Sequence, residues 1–176
     1  MIQRVSIIVP FYQEQESVIP LVTDMHEALS RLVYEWELIC IDDGSMDMTL
    51  SRLMDAKHQF GSHVRVLQLQ RNYGQTAAMQ AGIDAARGDI IVTLDGDLQN
   101  DPNDIPAMIE ELFERDLDLL QGWREDRKDG YWFRRFPSLI ANRLIARVTG
   151  VKLRDYGCSL KVYRASLLKQ IRLFGE

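Results

Sequence analysis

Short apolar runs alternate with amphipathic stretches along the first 120 residues. Runs rich in β-branched residues predict strands, and stretches with apolar residues at helical spacing predict helices. The predicted strands are Val5–Pro10, Trp36–Asp42, Val64–Leu69, Ile90–Leu94 and Leu117–Leu120. The predicted helices are Ser17–Leu32, Asp47–Phe60, Gly74–Ala86 and Pro102–Glu114. This alternation indicates βαβ units, and therefore an α/β fold whose mostly parallel sheet is flanked by helices.

The alternation of strand and helix patterns ends after residue 121, where the chain becomes basic and aromatic. A helix is predicted at about Phe136–Thr149, followed by a short strand near Ser159–Val162 and a terminal helix. With 176 residues, the chain is expected to form a single domain, 1–176, at roughly 150 residues per domain. No apolar run approaches the roughly 18 residues of a membrane helix. Because the chain stops soon after the last predicted helix, we expect it to be a fragment.

Charge divides the chain into two unequal parts. Residues 1–120 hold eight Lys and Arg against 21 Asp and Glu, whereas residues 121–176 hold 13 against five. The basic part suggests an anionic partner, although chance clustering on exposed helices would give the same composition. No zinc-finger or RNP-type pattern is present, so nucleic acid is not an expected partner. Cys40 and Cys158 form neither a disulfide framework nor a metal knuckle, which favours the cytosol.

Several common sites are excluded by missing motifs. The first predicted strand is not followed by GxGxxG, so a dinucleotide-binding site is not expected. The chain has neither the GxxxxGK[ST] of a P-loop nor the GxSxG of a hydrolase. His26, His58 and His63 fall away from the carboxyl ends of the strands and are expected at the surface.

Acidic residues follow two of the predicted strands, at the edge where α/β sheets bind ligands. The second strand ends in Asp42-Asp43-Gly44-Ser45. Either this is an ordinary turn in which Ser45 or Asp47 caps the next helix, or a carboxylate accepts hydrogen bonds from a ribose or a base.

The fourth strand ends in the run Asp95-Gly96-Asp97-Leu98-Gln99. Asp95 and Asp97 can converge on one Mg²⁺ or Mn²⁺ ion that bridges a diphosphate, and Gln99 could add a neutral oxygen. The alternative is a solvated acidic loop. A calcium loop is disfavoured, because Asn100 and Pro106 stand where such a loop needs Gly and Glu.

Five motifs occur in a fixed order: VSIIVPFYQEQE, IDDGSMDMT, RNYGQ, TLDGDLQNDP and DYGCSLKVYR. Together they resemble the family 2 glycosyltransferases, which have the GT-A fold, and within them the polyprenyl-phosphate sugar transferases. The resemblance covers nearly the whole chain. Two positions depart from the family pattern. Gly96 replaces a usual Ala, which should be harmless, and Trp123 replaces a usual Thr or Ser, which bears on the identity of the sugar.

The resemblance implies a nucleotide- and metal-binding half, 1–120, and an acceptor-binding half, 121–176. The implied nucleotide-binding residues are Pro10, Tyr12, Glu14, Asp42, Asp43 and Asp95, and the implied metal ligands are Asp95, Asp97 and Gln99. The implied acceptor-phosphate ligands are Arg124, Arg134, Arg135 and Ser138, and the implied catalytic residues are Asp97, Asp155 and Arg134.

The implied reaction is an inverting, metal-dependent transfer of a sugar from a nucleotide diphosphate, expected to be a UDP-sugar, to undecaprenyl or another polyprenyl phosphate. A lipid phosphate is largely dianionic at pH 7 and does not require a general base. One alternative is a soluble family 2 enzyme with a hydroxyl acceptor, for which Asp155 would be the base. Another is a non-catalytic module that binds a nucleotide sugar. A nucleotidyltransferase is disfavoured, because the Gly-rich loop is missing.

The resemblance further implies that the enzyme acts at the cytoplasmic face of the cell membrane, with its catalytic domain in the cytoplasm. It also implies a C-terminal membrane anchor that is absent from this chain. Aromatic and basic residues interleave at positions 131–136, which suits a membrane interface, although a core patch would look similar. The sequence leaves open whether the chain forms homo-oligomers.

Overall fold

The computed structural model describes residues 4–122 and 158–174. The strands in this part of the chain are β1 (Arg4–Phe11), β2 (Glu35–Asp42), β3 (Val64–Gln68), β4 (Ile90–Thr93), β5 (Leu119–Gln121) and β6 (Lys161–Arg164). The helices are α1 (Val18–Leu29), α2 (Thr49–Phe60), α3 (Gln75–Ala85), α4 (Asp104–Glu114) and α5 (Ala165–Leu168).

All six described strands join one sheet in the order β3-β2-β1-β4-β6-β5. Strands β1 to β4 pair in parallel, whereas β6 is antiparallel to both β4 and β5. The predicted α/β fold with a mostly parallel sheet is therefore confirmed. The helices cover both faces of this sheet, as a parallel sheet requires.

Alternate residues of each central strand enter two separate cores. In β1, Ile7 faces the layer built by α1, α2 and α4, whereas Ile8 faces α3 and α5. In β2, Cys40 belongs to the first of these cores and Ile41 to the second. Every residue of β1 after Arg4 is buried, and this explains why the strand reads as a continuous apolar run.

The strand order reverses next to β1. The chain builds β2 and β3 on one side of β1 and then crosses to add β4 on the other side. In an open α/β sheet this switch point leaves a crevice beyond the carboxyl ends of the strands, because the two crossovers leave in opposite directions. The ends of β1 and β4 therefore define the place to look for a ligand site.

The amino edge of the sheet carries a buried polar network. The Glu37 carboxylate accepts hydrogen bonds from Ser6 Oγ at 2.7 Å, from Arg65 Nη1 at 2.6 Å and from the Arg87 amide at 2.8 Å. Ser6 Oγ also accepts the Gly88 amide at 2.8 Å. The network joins β1, β2, β3 and the turn before β4, so it stabilises the sheet far from the carboxyl ends of the strands.

Two of the three histidines are not the surface residues that the sequence predicted. His26 Nδ1 lies 3.3 Å from His63 Nε2, and both rings are half-buried beside Trp36. Burial, together with His26, lowers the pKa of His63. His58 is exposed, as expected. The pair lies at the amino edge of the sheet, because His63 directly precedes β3.

Some element boundaries differ from the sequence prediction. The residue before α2 is Met48, whereas Ser45 Oγ accepts the Gln13 amide and Asp47 Oδ1 accepts the Thr49 amide. Strands β5 and β6 each begin two residues later than predicted. The predicted helix at Phe136–Thr149 lies outside the described residues. Among those described, no helix has both the length and the apolar character needed to cross a bilayer.

Candidate active site

The loop after β1 presents two side chains to the carboxyl edge of the sheet. Gln13 has a φ of 55°, a left-handed conformation that few residues other than glycine adopt. Its amide donates to Ser45 Oγ at 3.0 Å, and the Glu14 amide donates to Thr49 Oγ1 at 2.9 Å. These two bonds fix the loop to the turn before α2 and to the first residue of that helix, and they hold Tyr12 and Glu14 beside the strand ends.

Asp42 and Asp43 end β2 with different surroundings. Asp42 is fully buried, and its Oδ1 accepts the Ser45 amide at 3.2 Å. Its Oδ2 has no hydrogen-bond partner within the described ranges. Asp43 accepts the Tyr73 amide at 2.8 Å on Oδ1 and the Gly74 amide at 2.9 Å on Oδ2. The second aspartate therefore fastens the start of α3 to the end of β2.

Gly44 allows this close approach of two loops. Its φ is +69°, and a Cβ built there would lie 2.3 Å from the carbonyl carbon of Arg71. Any side chain at position 44 would force the RNYGQ segment away from β2. The glycine of the DDGS motif therefore brings the segment before α3 to the carboxyl edge.

The loop after β4 carries the two aspartates of the DGD motif. Asp95 Oδ1 accepts a short hydrogen bond of 2.5 Å from Gln75 Nε2, and Asp97 Oδ1 accepts the Gln99 amide at 3.1 Å. Leu98 has a φ of 61°, which turns the chain sharply after Asp97. The carboxylates of Asp95 and Asp97 therefore both lie at the crevice beyond the ends of β1 and β4.

These loops surround a cavity of about 290 Å³ at the switch point between β1 and β4. Its lining residues are Pro10, Phe11, Tyr12, Glu14, Asp43, Asn72, Gln75, Asp95, Gly96 and Asp97. Six of the residues singled out from the sequence meet here: Pro10, Tyr12, Glu14, Asp43, Asp95 and Asp97. Asp42 lies buried behind the lining, and Gln99 is exposed two residues beyond Asp97 and outside the lining.

The charge of the lining indicates what the cavity can bind. Four of its side chains are carboxylates and none is Lys or Arg. An anionic diphosphate would be repelled from this surface on its own, but a divalent cation held by two carboxylates would neutralise their charge and offer a positive centre to the phosphate oxygens. In residues 4–122 and 158–174, no three His, Cys, Asp or Glu side chains lie close enough together to hold one metal ion by themselves. Two carboxylates suit Mg²⁺ or Mn²⁺, which complete their shell with phosphate oxygens and water.

Five predicted site residues lie outside the described residues: Arg124, Arg134, Arg135, Ser138 and Asp155. Trp123, which was expected to bear on the sugar, also lies there. Their roles remain predictions.

Sequence reasoning gave no role to three lining residues, Phe11, Asn72 and Gln75. The signal for two of them was present, because the RNYGQ motif directly follows the third strand at the same edge of the sheet. The sequence could not show that Asp43 accepts hydrogen bonds from the Tyr73 and Gly74 amides, which hold this motif beside the cavity.

Residues 6–172 match the sequence profile of glycosyl transferase family 2. The chain belongs to this family. Dodecaprenyl-phosphate galacturonate synthase of Rhizobium johnstonii is 57% identical over 173 residues, which are 98% of this chain and 51% of the relative. Undecaprenyl-phosphate 4-deoxy-4-formamido-L-arabinose transferase of Pseudomonas fluorescens is 44% identical over 95% of this chain and 48% of the relative. The family 2 chain thus spans about half the length of these curated relatives.

Solved structures confirm the GT-A type of fold. Glucosyl-3-phosphoglycerate synthase of Mycobacterium tuberculosis, in complex with phosphoglyceric acid, aligns with a TM-score of 0.75 and 21% identity. The alignment covers 96% of the family 2 chain and 59% of that structure. The same enzyme in complex with Mn²⁺ and UDP-glucose aligns with a TM-score of 0.75 and 19% identity. At this identity the likeness concerns the fold.

Proposed function

We propose that this chain is the catalytic domain of an enzyme that transfers a sugar from a nucleotide diphosphate, a UDP-sugar, to a polyprenyl phosphate. The observation that carries the proposal is the acidic cavity at the switch point, where Asp95 and Asp97 meet the ends of β1 and β2. The two relatives whose names specify a polyprenyl-phosphate acceptor support the choice of lipid.

The donor nucleotide would occupy the side of the cavity formed by the ends of β1 and β2. Tyr12 is 42% exposed beside this cavity and offers a flat ring for the base. Asp43 already accepts two backbone amides, so its main task is to hold α3 in place. Asp42 Oδ2 lacks a partner within the described ranges, and a nucleotide N–H or O–H group would satisfy it if the loop opened slightly.

Asp95 and Asp97 would hold a Mg²⁺ or Mn²⁺ ion against the diphosphate. When bound, the cation supplies Lewis-acid stabilisation of the charge that grows on the β-phosphate as the sugar leaves. Asp97 is held for this task by the Gln99 amide, and Asp95 is held by Gln75. Gln99 contributes its amide in this structure, and a side-chain contact of Gln99 with the cation stays a prediction.

The acceptor is proposed to enter from the basic half of the chain. A phosphate monoester has a second pKa of about 6, so its oxygen is already a nucleophile at pH 7. Arg124, Arg134 and Arg135 are the proposed guanidinium groups that would align it, since arginine binds phosphate bidentately. Attack from the side opposite the leaving diphosphate would invert the anomeric carbon. Because the acceptor is a membrane lipid, we place the domain at the cytoplasmic face of the membrane.

The proposal is tested by UDP release from a panel of UDP-sugars, measured with and without a short polyprenyl phosphate. We expect release from one sugar of the panel to require both the lipid phosphate and the divalent cation, and EDTA to abolish it. Release that ignores both would overturn the proposal. Because the chain spans about half of its relatives, product should also be assayed in the full-length protein.

A pair of variants distinguishes a lipid phosphate from a hydroxyl acceptor. With a lipid phosphate, Arg134→Ala should reduce transfer about 10²-fold or more, whereas Asp155→Asn should retain most of it. The reverse order of sensitivity would indicate a hydroxyl acceptor that needs a general base.

A further inference from the structure

Ser159 lies in DYGCSLKVYR, the last of the five motifs, and contacts both ends of the loop that carries Asp95 and Asp97. Its Oγ accepts the Asp95 amide at 3.2 Å and Asn100 Nδ2 at 3.0 Å. Its carbonyl oxygen accepts Thr93 Oγ1 at 3.0 Å, at the last residue of β4. One residue therefore joins the end of the strand and the first and last positions of the loop.

The sheet register explains how a residue so distant in sequence reaches this loop. Thr93 pairs with Lys161 in the antiparallel β4–β6 ladder. Ser159, two residues before Lys161, therefore lies just beyond the carboxyl end of β4, where the loop begins. Neighbouring Cys158 is buried, and its Sγ contacts Asn100 Oδ1 at 3.6 Å.

The loop needs such external support. Leu98 has a φ of 61°, and a leucine in the left-handed region costs about 1–2 kcal/mol. A strained residue of this kind persists only where its surroundings fix it. Asn100, at the far end of the loop, is 7% exposed, so its side-chain amide depends on protein partners.

We propose that Ser159 is a positioning residue that sets the separation of Asp95 and Asp97 for the divalent cation. It acts through the Asp95 amide and Asn100 and does not itself contact the cavity. The inference rests on the proposed function in one respect, which is that a cation binds between these carboxylates. It gives the DYGCSLKVYR motif a role at the proposed metal site, although the motif lies within 121–176, the half that the sequence assigned to the acceptor.

Ser159→Ala removes the shared acceptor and leaves two donors without their partner. The matched control is Ser6→Ala. Ser6 Oγ also accepts a backbone amide, that of Gly88, and it is hydrogen-bonded to a polar side chain, that of Glu37. Ser6, however, lies at the opposite edge of the sheet. Both variants should lose stability. Only Ser159→Ala should disturb the loop after β4.

The measurement is Mn²⁺ affinity, followed by electron paramagnetic resonance in the presence of UDP at a temperature where circular dichroism shows every variant folded. We expect Ser159→Ala to bind Mn²⁺ about tenfold more weakly, as the loss of one buried hydrogen-bond acceptor predicts. Ser6→Ala should bind within about twofold of the unmodified chain, and Ser159→Thr, which keeps the hydroxyl, should recover most of the affinity. Equal affinities in Ser159→Ala and the unmodified chain would overturn the proposal, as would equal weakening by Ser6→Ala.

Amide hydrogen exchange separates this inference from the proposed function. If the unmodified chain binds no Mn²⁺, the proposed function fails. Faster exchange of the Asp95 amide in Ser159→Ala, by about tenfold or more, would still show that Ser159 holds the loop. Unchanged exchange there would overturn the positioning role itself. Should Ser159→Ala fail to fold, Asn100→Ala removes the other half of the same contact and is expected to weaken Mn²⁺ binding in the same direction.

Discussion

At the scale of single residues, Gly96 packs directly against the ring of Phe11. A Cβ built at position 96 would lie 2.6 Å from Phe11 Cδ1 and 3.0 Å from the Pro10 carbonyl oxygen. Phe11 is 1% exposed and has little room to move. The absence of a Cβ at position 96 is therefore what leaves room for the phenylalanine that ends β1. The same contact brings the DGD loop close to the first strand.

Gly96→Ala should lower the free energy of unfolding by about 1–3 kcal/mol, because a methyl group is forced into a packed site. Urea denaturation measures the loss. In a double-mutant cycle with Phe11→Leu, the double variant should lose less than the sum of the single variants, since the smaller side chain makes room. Full additivity, or a Gly96→Ala variant as stable as the unmodified chain, would contradict the packing argument.

The residue types of the site were predictable from the sequence, but their arrangement was not. Asp95 and Asp97 stand out as paired carboxylates after the most apolar strand, and they do line the cavity. Nothing in the DDGS motif indicates that Asp42 is buried behind the lining while Asp43 binds two amides of another loop. Those bonds depend on how β2 and the segment after β3 pair in space, and a local pattern does not contain this information.

At the scale of elements, the Glu37 network joins three strands through one carboxylate. Burial alone would raise the pKa of Glu37, but hydrogen bonds from Ser6, Arg65 and the Arg87 amide, with the charge of Arg65, lower it below its usual 4.5. The folded state therefore favours the ionised carboxylate. The stabilisation is fully present above pH 4.5 and is lost as the pH falls through the lowered pKa of the folded state.

Glu37→Gln should destabilise the chain by about 1–3 kcal/mol at pH 7, because the charged hydrogen bonds are lost. The difference should begin to shrink below pH 4.5, where Glu37 of the unfolded chain takes up a proton, and should be lost as the pH falls through the lowered pKa of the folded state. Urea denaturation at several pH values measures it. Glu35→Gln is the control, since Glu35 is 73% exposed in its ion pair with Arg4 and should matter little. A difference that stays constant down to pH 3 would contradict the assigned pKa direction.

Helices and strands were predicted well where the apolar pattern is long. The run from Val5 is buried throughout and forms β1, and the apolar run Ile90–Leu94 contains β4. The short strands β5 and β6 each begin two residues later than the sequence predicted. Their positions are set by the antiparallel pairing of Leu119 with Tyr163, which is a long-range contact. His26 and His63 were misjudged for the same reason, because only the fold brings α1 beside the start of β3.

At the scale of the whole molecule, polar groups are divided between the two edges of the sheet. The amino edge holds the Glu37 network, which joins three strands, and the histidine pair. The carboxyl edge holds the acidic cavity at the switch point. This cavity accounts for four of the acidic residues of 1–120, and under the proposed function a divalent cation would lie between them and an anionic donor.

The central claim is that Asp95 and Asp97 bind the donor's diphosphate through a divalent cation, and calorimetric titration with UDP tests it most directly. The unmodified chain should bind UDP at least about tenfold more tightly with Mn²⁺ than with EDTA. Asp97→Asn should lose this dependence, whereas Asp55→Asn, a substitution on the exposed face of α2, should keep it. UDP binding of equal strength in Mn²⁺ and in EDTA would contradict the account.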